Sequence, residues 1–143
     1  MNKAADCIFC KIVSGTIPCF RVFESEHVLA FLDINALSPG HTLVIPKHHA
    51  ERLHQLPESA ATHLGAGVAR VARALVEGGM GDEYNVLQNN GRSAHQAVMH
   101  VHYHVIPKTD DEGLDLVWNA GTPDKEKLAE LAAKLAAHTK DKI

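Results

Sequence analysis

Between Met99 and Ile106 the chain places a histidine at every second position: His100, His102 and His104, interleaved with Val101, Tyr103 and Val105. In a β-strand successive side chains point to opposite faces, so the three imidazoles line one face and the apolar residues the other. Val101, Tyr103 and Val105 demand an ordered strand whose second face is covered. The imidazole face makes a poor apolar core, because each ring nitrogen must find a partner or water. Histidine works near neutral pH as nucleophile, acid, base or metal ligand. From the strand alone, incidental surface histidines, a metal site and nucleophilic or acid–base catalysis all stay open, and catalysis leads. A tag does not fit, because the histidines are not consecutive and sit inside a patterned strand.

A chain of 143 residues suits one domain, spanning 1–143, with a sizeable core. The formal charge of −3 gives no sequence-wide attraction to nucleic acid or acidic membranes, so neither is an expected partner. There is no apolar run of about 18 residues to span a bilayer. Residues Met1 to Cys7 lack the apolar stretch of a signal peptide, and the cytoplasm is the expected location. Three cysteines, an odd number, do not suggest a secreted disulfide framework.

Along the chain, Ile8 to Val13 reads as a short helix stopped by Ser14-Gly15. Phe20 to Glu24 and His27 to Ile34 read as strands joined tightly through Ser25-Glu26, although no Gly or Asn is there. Ser38-Pro39-Gly40 is a turn signal that leads into a strand from His41 to Ile45, ended by Pro46. Lys47 to Leu56 has room for one or two helical turns. Glu58 to Glu77 shows helical spacing, with Leu64, Val68, Val71 and Leu75 on one stripe and Gly78-Gly79 at its end. Gly65 and Gly67 weaken this helix and permit close packing. Glu83 to Gln88 reads as a strand and Asn89 to His95 as a polar loop. Thr122-Pro123 has the character of a helix start, and a last helix at about 123–138 carries Leu128, Leu131 and Leu135 on one face. Sequential strands with short turns favour an antiparallel sheet with segregated helices, an α+β domain.

Cys7-Ile8-Phe9-Cys10 is a single C-x-x-C, a weak signal by itself: a zinc site needs two more ligands, and two packed free thiols read equally well. His41, His48-His49 and His95 sit at strand ends or in loops, where site residues are frequent.

The heptad His100-Val101-His102-Tyr103-His104-Val105-Ile106 resembles the motif of the histidine triad (HIT) family. Phe31-Leu32-Asp33-Ile34, Gly40 to Lys47, Gln88-Asn89-Asn90-Gly91 and His95-Gln96 follow the family's order and spacing, and the resemblance runs from about Cys7 to Trp118. It implies a five-stranded antiparallel sheet and a homodimer whose sheets align into a larger one. It implies cleavage of nucleoside 5′-monophosphate derivatives at the α-phosphorus in two steps, through a nucleotidyl-histidine on His102. His104 and His41 would contact phosphate oxygens, and the main-chain carbonyl near His100 would hold His102. Asp33 would accept hydrogen bonds from the ribose hydroxyls, although alone it reads as a turn or cap aspartate. Ile8, Phe9, Ile12, Phe31 and Ile34 would wall the base pocket, with Asn89 and Gln96 beside the phosphate.

Asn89 matches the monophosphoramidase-like branch. The branch that hydrolyses dinucleoside polyphosphates typically has glutamine there. A nucleotide-binding or scaffold protein with negligible turnover is the alternative from another class. Ala97 stands where the phosphoramidase branch often has a serine that helps protonate the leaving amine, and His95 stands where a glycine is common. The resemblance further implies that Cys7 and Cys10 join His49 and His100 in a structural zinc site, with no metal required for catalysis. The expected ligand is an AMP-like purine nucleotide.

Overall fold

The run Val28-Leu29-Ala30-Phe31 is buried residue by residue, and so is the next strand, Thr42 to Pro46. Such strands need cover on both faces. The computed structural model, which describes residues 4–139, supplies it with one helix on each side. The element order is α1 (Ile8–Val13), β1 (Arg21–Glu24), β2 (Val28–Leu32), β3 (Thr42–Pro46), α2 (Glu58–Glu77), β4 (Tyr84–Gln88), β5 (Tyr103–Pro107) and α3 (Lys125–Ala136). The strands form one antiparallel five-stranded sheet in the order β1-β2-β3-β5-β4.

The strand period of two divides the core. Val28, Ala30, Val44, Val101 and Val105 pack with Leu64, Val71 and Leu75 of α2, and Tyr103 joins them. Leu29, Phe31, Leu43 and Ile45 pack on the other face with Phe9 of α1. Full burial of each large aliphatic side chain contributes about 1.5–3 kcal/mol. Gly67 lets α2 lie on β2: a Cβ there would stand 2.8 Å from Val28 Cγ1. Gly65 faces open space, so only one of the two helix glycines serves packing. At the end of α2 the main-chain N–H of Met80 bonds Leu75 O and that of Gly79 bonds Val76 O, the paired closure of a left-handed helix stop at Gly79.

One expectation is explained and two shift. The β1–β2 turn needs no glycine, because the Ser25 hydroxyl accepts from the N–H groups of His27 and Val28. Of the three histidines only His104 lies within β5; His100 and His102 precede it, because pairing with β3 and β4 begins at Tyr103. The register sets Val44 opposite Tyr103, which would bring Pro46 to Val101; proline has no N–H to continue the ladder, and the Val101 N–H bonds Ala50 O instead. The last helix begins at Lys125, with Asp124 rather than Thr122 as its cap, because the Asp124 carboxylate accepts from the Glu126 N–H at 3.0 Å. Leu128, Leu131 and Leu135 share a helical face there and are 47%, 53% and 62% exposed. Residues 1–3 and 140–143 of the expected 1–143 domain lie outside the described residues.

Candidate active site

All three triad histidines lie on the α1 side of the sheet. His102 meets the edge of the Phe9 ring at 5.2 Å between centroids, and His104 lies 5.0 Å from His102. His102 Nδ1 donates to the main-chain oxygen of His100 at 2.7 Å. A carbonyl oxygen can only accept, so Nδ1 carries the proton and Nε2 keeps its lone pair. Burial lowers the His102 pKa, opposed by that hydrogen bond and by the charge of Asp33. A neutral imidazole with an available Nε2 is the form a nucleophile requires.

His104 is opposite Leu43 in the β3–β5 ladder, which puts His41, two residues back, on the same face and diagonal to it. His41 Nε2 and His104 Nδ1 are 2.9 Å apart. Burial, with His102 and His41 nearby, pushes the His104 pKa down to about 4. His41 is lowered by burial, with Asp33 pulling the other way. Asp33 Oδ1 accepts from the Asn35 N–H at 2.8 Å, and Oδ2 lies 3.5 Å from His41 Nε2.

Beside the histidines opens a mostly apolar pocket of about 420 Å³. Its walls include Ile8, Phe9, Ile12, Phe31, Asp33 and Ile34, with His102 and His104 at one end. Ile17, Pro18, Cys19, Phe20, Leu43 and Val98 also line it and were not read from the sequence. The signal was present: Ile17 to Phe20 is an apolar run after α1 whose Phe20 stays 67% exposed, like Ile34 at 81% on the same pocket. Such exposure of large apolar residues at a concave mouth marks a binding surface. Ala97 lines the pocket too, without a hydroxyl to offer.

Gln96 and Asn89 do not line this pocket. The Gln96 side chain is consumed by the loop: Oε1 accepts from Gly91 N–H at 2.6 Å, and Nε2 donates to Glu51 O and Val98 O. Asn89 Nδ2 reaches the carbonyl of His95 at 3.4 Å. His95 takes a left-handed backbone conformation (φ +68°), the strain that a glycine would avoid, and its side chain is exposed.

A second constellation lies at the other end of the triad. Cys7, Cys10, His49 and His100 present ligand atoms that all fall within 4.8 Å of one another. His100 Nδ1 is 3.3 Å from Cys7 Sγ, 3.7 Å from Cys10 Sγ and 3.1 Å from His49 Nδ1, and Cys10 Sγ is 3.5 Å from His49 Nδ1. Zinc bonds to sulfur and nitrogen imply tetrahedral edges of roughly 3.3–3.8 Å, so the edges to sulfur fit that ion and the 3.1 Å nitrogen pair is slightly short of it. The proton of His100 supports the fit: Nε2–H donates to Pro46 O at 2.8 Å, leaving the Nδ1 lone pair turned inward. Burial pushes the His100 pKa down to about 4 and raises that of the Cys7 thiol. All three cysteines are free.

An α+β sheet with an imidazole strand at the end of an apolar pocket defines a class of small histidine-dependent domains. The chain belongs to the HIT family: the HIT domain matches residues 14–111. It is 46% identical over 134 residues to adenosine 5′-monophosphoramidase HNT1 of Saccharomyces cerevisiae, covering 93% of this chain and 82% of that protein. It is 44% identical over 140 residues to adenosine 5′-monophosphoramidase HNT1 of Candida albicans, covering 94% and 92%. Among solved structures, a HIT family protein from Bacillus anthracis superposes with a TM-score of 0.91 at 40% identity, covering 96% of this chain and 100% of that one.

Proposed function

We propose that the protein is a nucleoside 5′-monophosphoramidase, a hydrolase that cleaves the P–N bond of substrates such as adenosine 5′-phosphoramidate. The observation that carries this reading is the His102 Nδ1–H bond to His100 O, which turns the Nε2 lone pair out as a nucleophile. The names of the fungal relatives support the substrate class.

In the first step His102 Nε2 attacks phosphorus, the P–N bond breaks, and the amine leaves with a proton. Water then attacks the nucleotidyl-histidine, releasing AMP and restoring His102. Splitting one displacement into two lowers each barrier. His104 holds the charge that develops on the phosphate oxygens, and His41 supports it through the hydrogen bond the two share. Asp33 accepts from the ribose hydroxyls, and the Ile8, Phe9, Ile12, Phe31 and Ile34 walls sandwich the base. Ala97 supplies no proton to the leaving group, so that proton comes from water. Asn89 and Gln96 act on the phosphate loop, Gln96 by holding Gly91 in place.

Cys7, Cys10, His49 and His100 would hold a zinc ion. With four protein ligands, zinc there would tie the N-terminal helix to the segment leading into β5 and would leave no position for substrate. The site chemistry requires no other metal. A homodimer joined through the exposed edge strand β4, where Tyr84 and Val86 are exposed, suits the sheet order. The free thiols fit a reducing compartment, the cytoplasm. Among the described residues no helix is long and apolar enough to cross a membrane.

The test is AMP release from adenosine 5′-phosphoramidate by wild type and by His102→Asn. Release by wild type alone is expected. Equal release by both removes His102 as nucleophile.

A further inference from the structure

The loop between β2 and β3 makes contacts that the chemistry above does not use. The main-chain N–H of Leu37 donates to His41 Nδ1 at 3.0 Å. Its neighbour Ser38 is 5% exposed, and the Ser38 hydroxyl donates to Pro107 O at 2.7 Å, at the end of the strand that carries His104. The Gly113 N–H bonds Leu37 O, and the His41 N–H bonds Ser38 O. Gly40 completes the turn at φ +93°, where a Cβ would stand 3.0 Å from Met80 and 3.1 Å from Leu75. The loop is therefore anchored to β5, to the chain beyond it and to the end of α2.

An amide N–H has no lone pair, so His41 Nδ1 must accept from Leu37. The proton of neutral His41 then sits on Nε2. That nitrogen faces His104 Nδ1 at 2.9 Å, which must accept in turn. The proton of neutral His104 is left on Nε2, the ring nitrogen that has no hydrogen-bond partner among the described residues. We propose that the Leu37 N–H, held in place by Ser38, fixes the tautomers of His41 and His104, so that His104 meets the substrate phosphate as an N–H donor. Ser38 is thereby a positioning residue for the phosphate site.

The reverse tautomer would turn a lone pair toward an anionic oxygen. Asp33 Oδ2, 3.5 Å from His41 Nε2, can only accept and favours the same direction. Burial keeps His41 and His104 in the neutral form, where a tautomer has meaning. The donor is then available without protonation of the site. The inference rests on the phosphate reading above and names the residues that orient it.

The test is a long-range ¹⁵N–¹H correlation on protein labelled at histidine, run at neutral pH beside kinetics on adenosine 5′-phosphoramidate. Wild type, Ser38→Ala and Ser38→Thr are compared. In wild type, His41 and His104 are each expected as a single Nε2–H tautomer. Ser38→Ala is expected to mix the tautomers and lower kcat roughly tenfold with KM within about twofold, a fraction of what deleting a transition-state donor costs. Ser38→Thr, which keeps the hydroxyl, is expected to restore both. A wild-type His104 carrying its proton on Nδ1, or fully protonated, overturns the proposal whether or not any variant folds. Loss of activity in Ser38→Ala with unchanged tautomers overturns the role of Ser38. Wild type with the expected tautomers and no AMP release would sink the phosphoramidase reading and support the tautomer assignment.

Discussion

Two clusters of ionisable side chains stand on either side of His102. Cys7, Cys10, His49 and His100 form one, and Asp33, His41 and His104 the other. In both, the ligand atoms lie within 4.8 Å of one another, yet their protons are arranged differently. In the first, the His100 proton is spent on Pro46 O, and the lone pair of its other nitrogen points in among the sulfurs. In the second, an N–H lies between neighbouring acceptors, from Leu37 to His41 and from His41 to His104. A cation bound at His41 Nε2 would move that proton to Nδ1, against the N–H of Leu37. The first cluster invites a metal, and the second is already satisfied as a chain of donors. What separates them is the hydrogen bond on the far nitrogen of each imidazole.

The harshest way to probe this contrast is at the residue between the clusters. His102→Asn is expected to cut turnover by about 10⁴-fold or more, with AMP binding retained by calorimetry. Next comes His41→Gln, expected to lower kcat on the order of 10²-fold. Elemental analysis should show its zinc content equal to that of wild type. If this variant lost the metal, the two clusters would not be independent.

On the other side, Cys7→Ser is expected to release zinc and lower Tm by about 5–10 °C, with a smaller effect on turnover. Metal-free wild-type protein of undiminished Tm would break the metal half of the comparison.

The smallest effect concerns pH. The folded state holds the pKa of His100 and His104 near 4, and those of His41 and His102 below the ordinary value. The unfolded chain binds these protons near pH 6.5 and the folded chain does not. The stability is thus fully present above about pH 6.5 and is lost as pH falls toward 4, each histidine adding up to about 1.4 kcal/mol per pH unit to the slope. Denaturant melts of metal-free protein between pH 7 and 4.5 would read it, and a flat profile would contradict buried neutral imidazoles.

The sequence displayed much of this because its signals are local. The alternation from His100 to Val105 separates the face that carries the imidazoles from the face that packs, and Val101, Tyr103 and Val105 do join the α2 core. Apolar spacing likewise places α2 from Glu58 to Glu77. What it concealed depends on main-chain atoms or on distant partners. Nothing in the letter for Leu37 says that its amide orients His41. That Gln96 ties the loop together shows only once its amide is found bonded to Gly91, Glu51 and Val98. The early end of the β3–β5 ladder follows from Pro46, but only once the register is known. The pairing of Cys7 with His100 spans 93 positions and came from family resemblance rather than from any pattern in the chain.

Position 100 answers to both clusters through different atoms. Its imidazole belongs to the cysteines, while its carbonyl belongs to His102. Every amino acid brings a carbonyl, so the half of this position proposed to serve catalysis is blind to the genetic code and the half proposed to hold metal is fully exposed to it. A lineage, or an engineer, can therefore rewrite the ligand set at 7, 10, 49 and 100 toward another ion or an apolar plug. The grip on the proposed nucleophile survives wherever the backbone at 100 keeps its path.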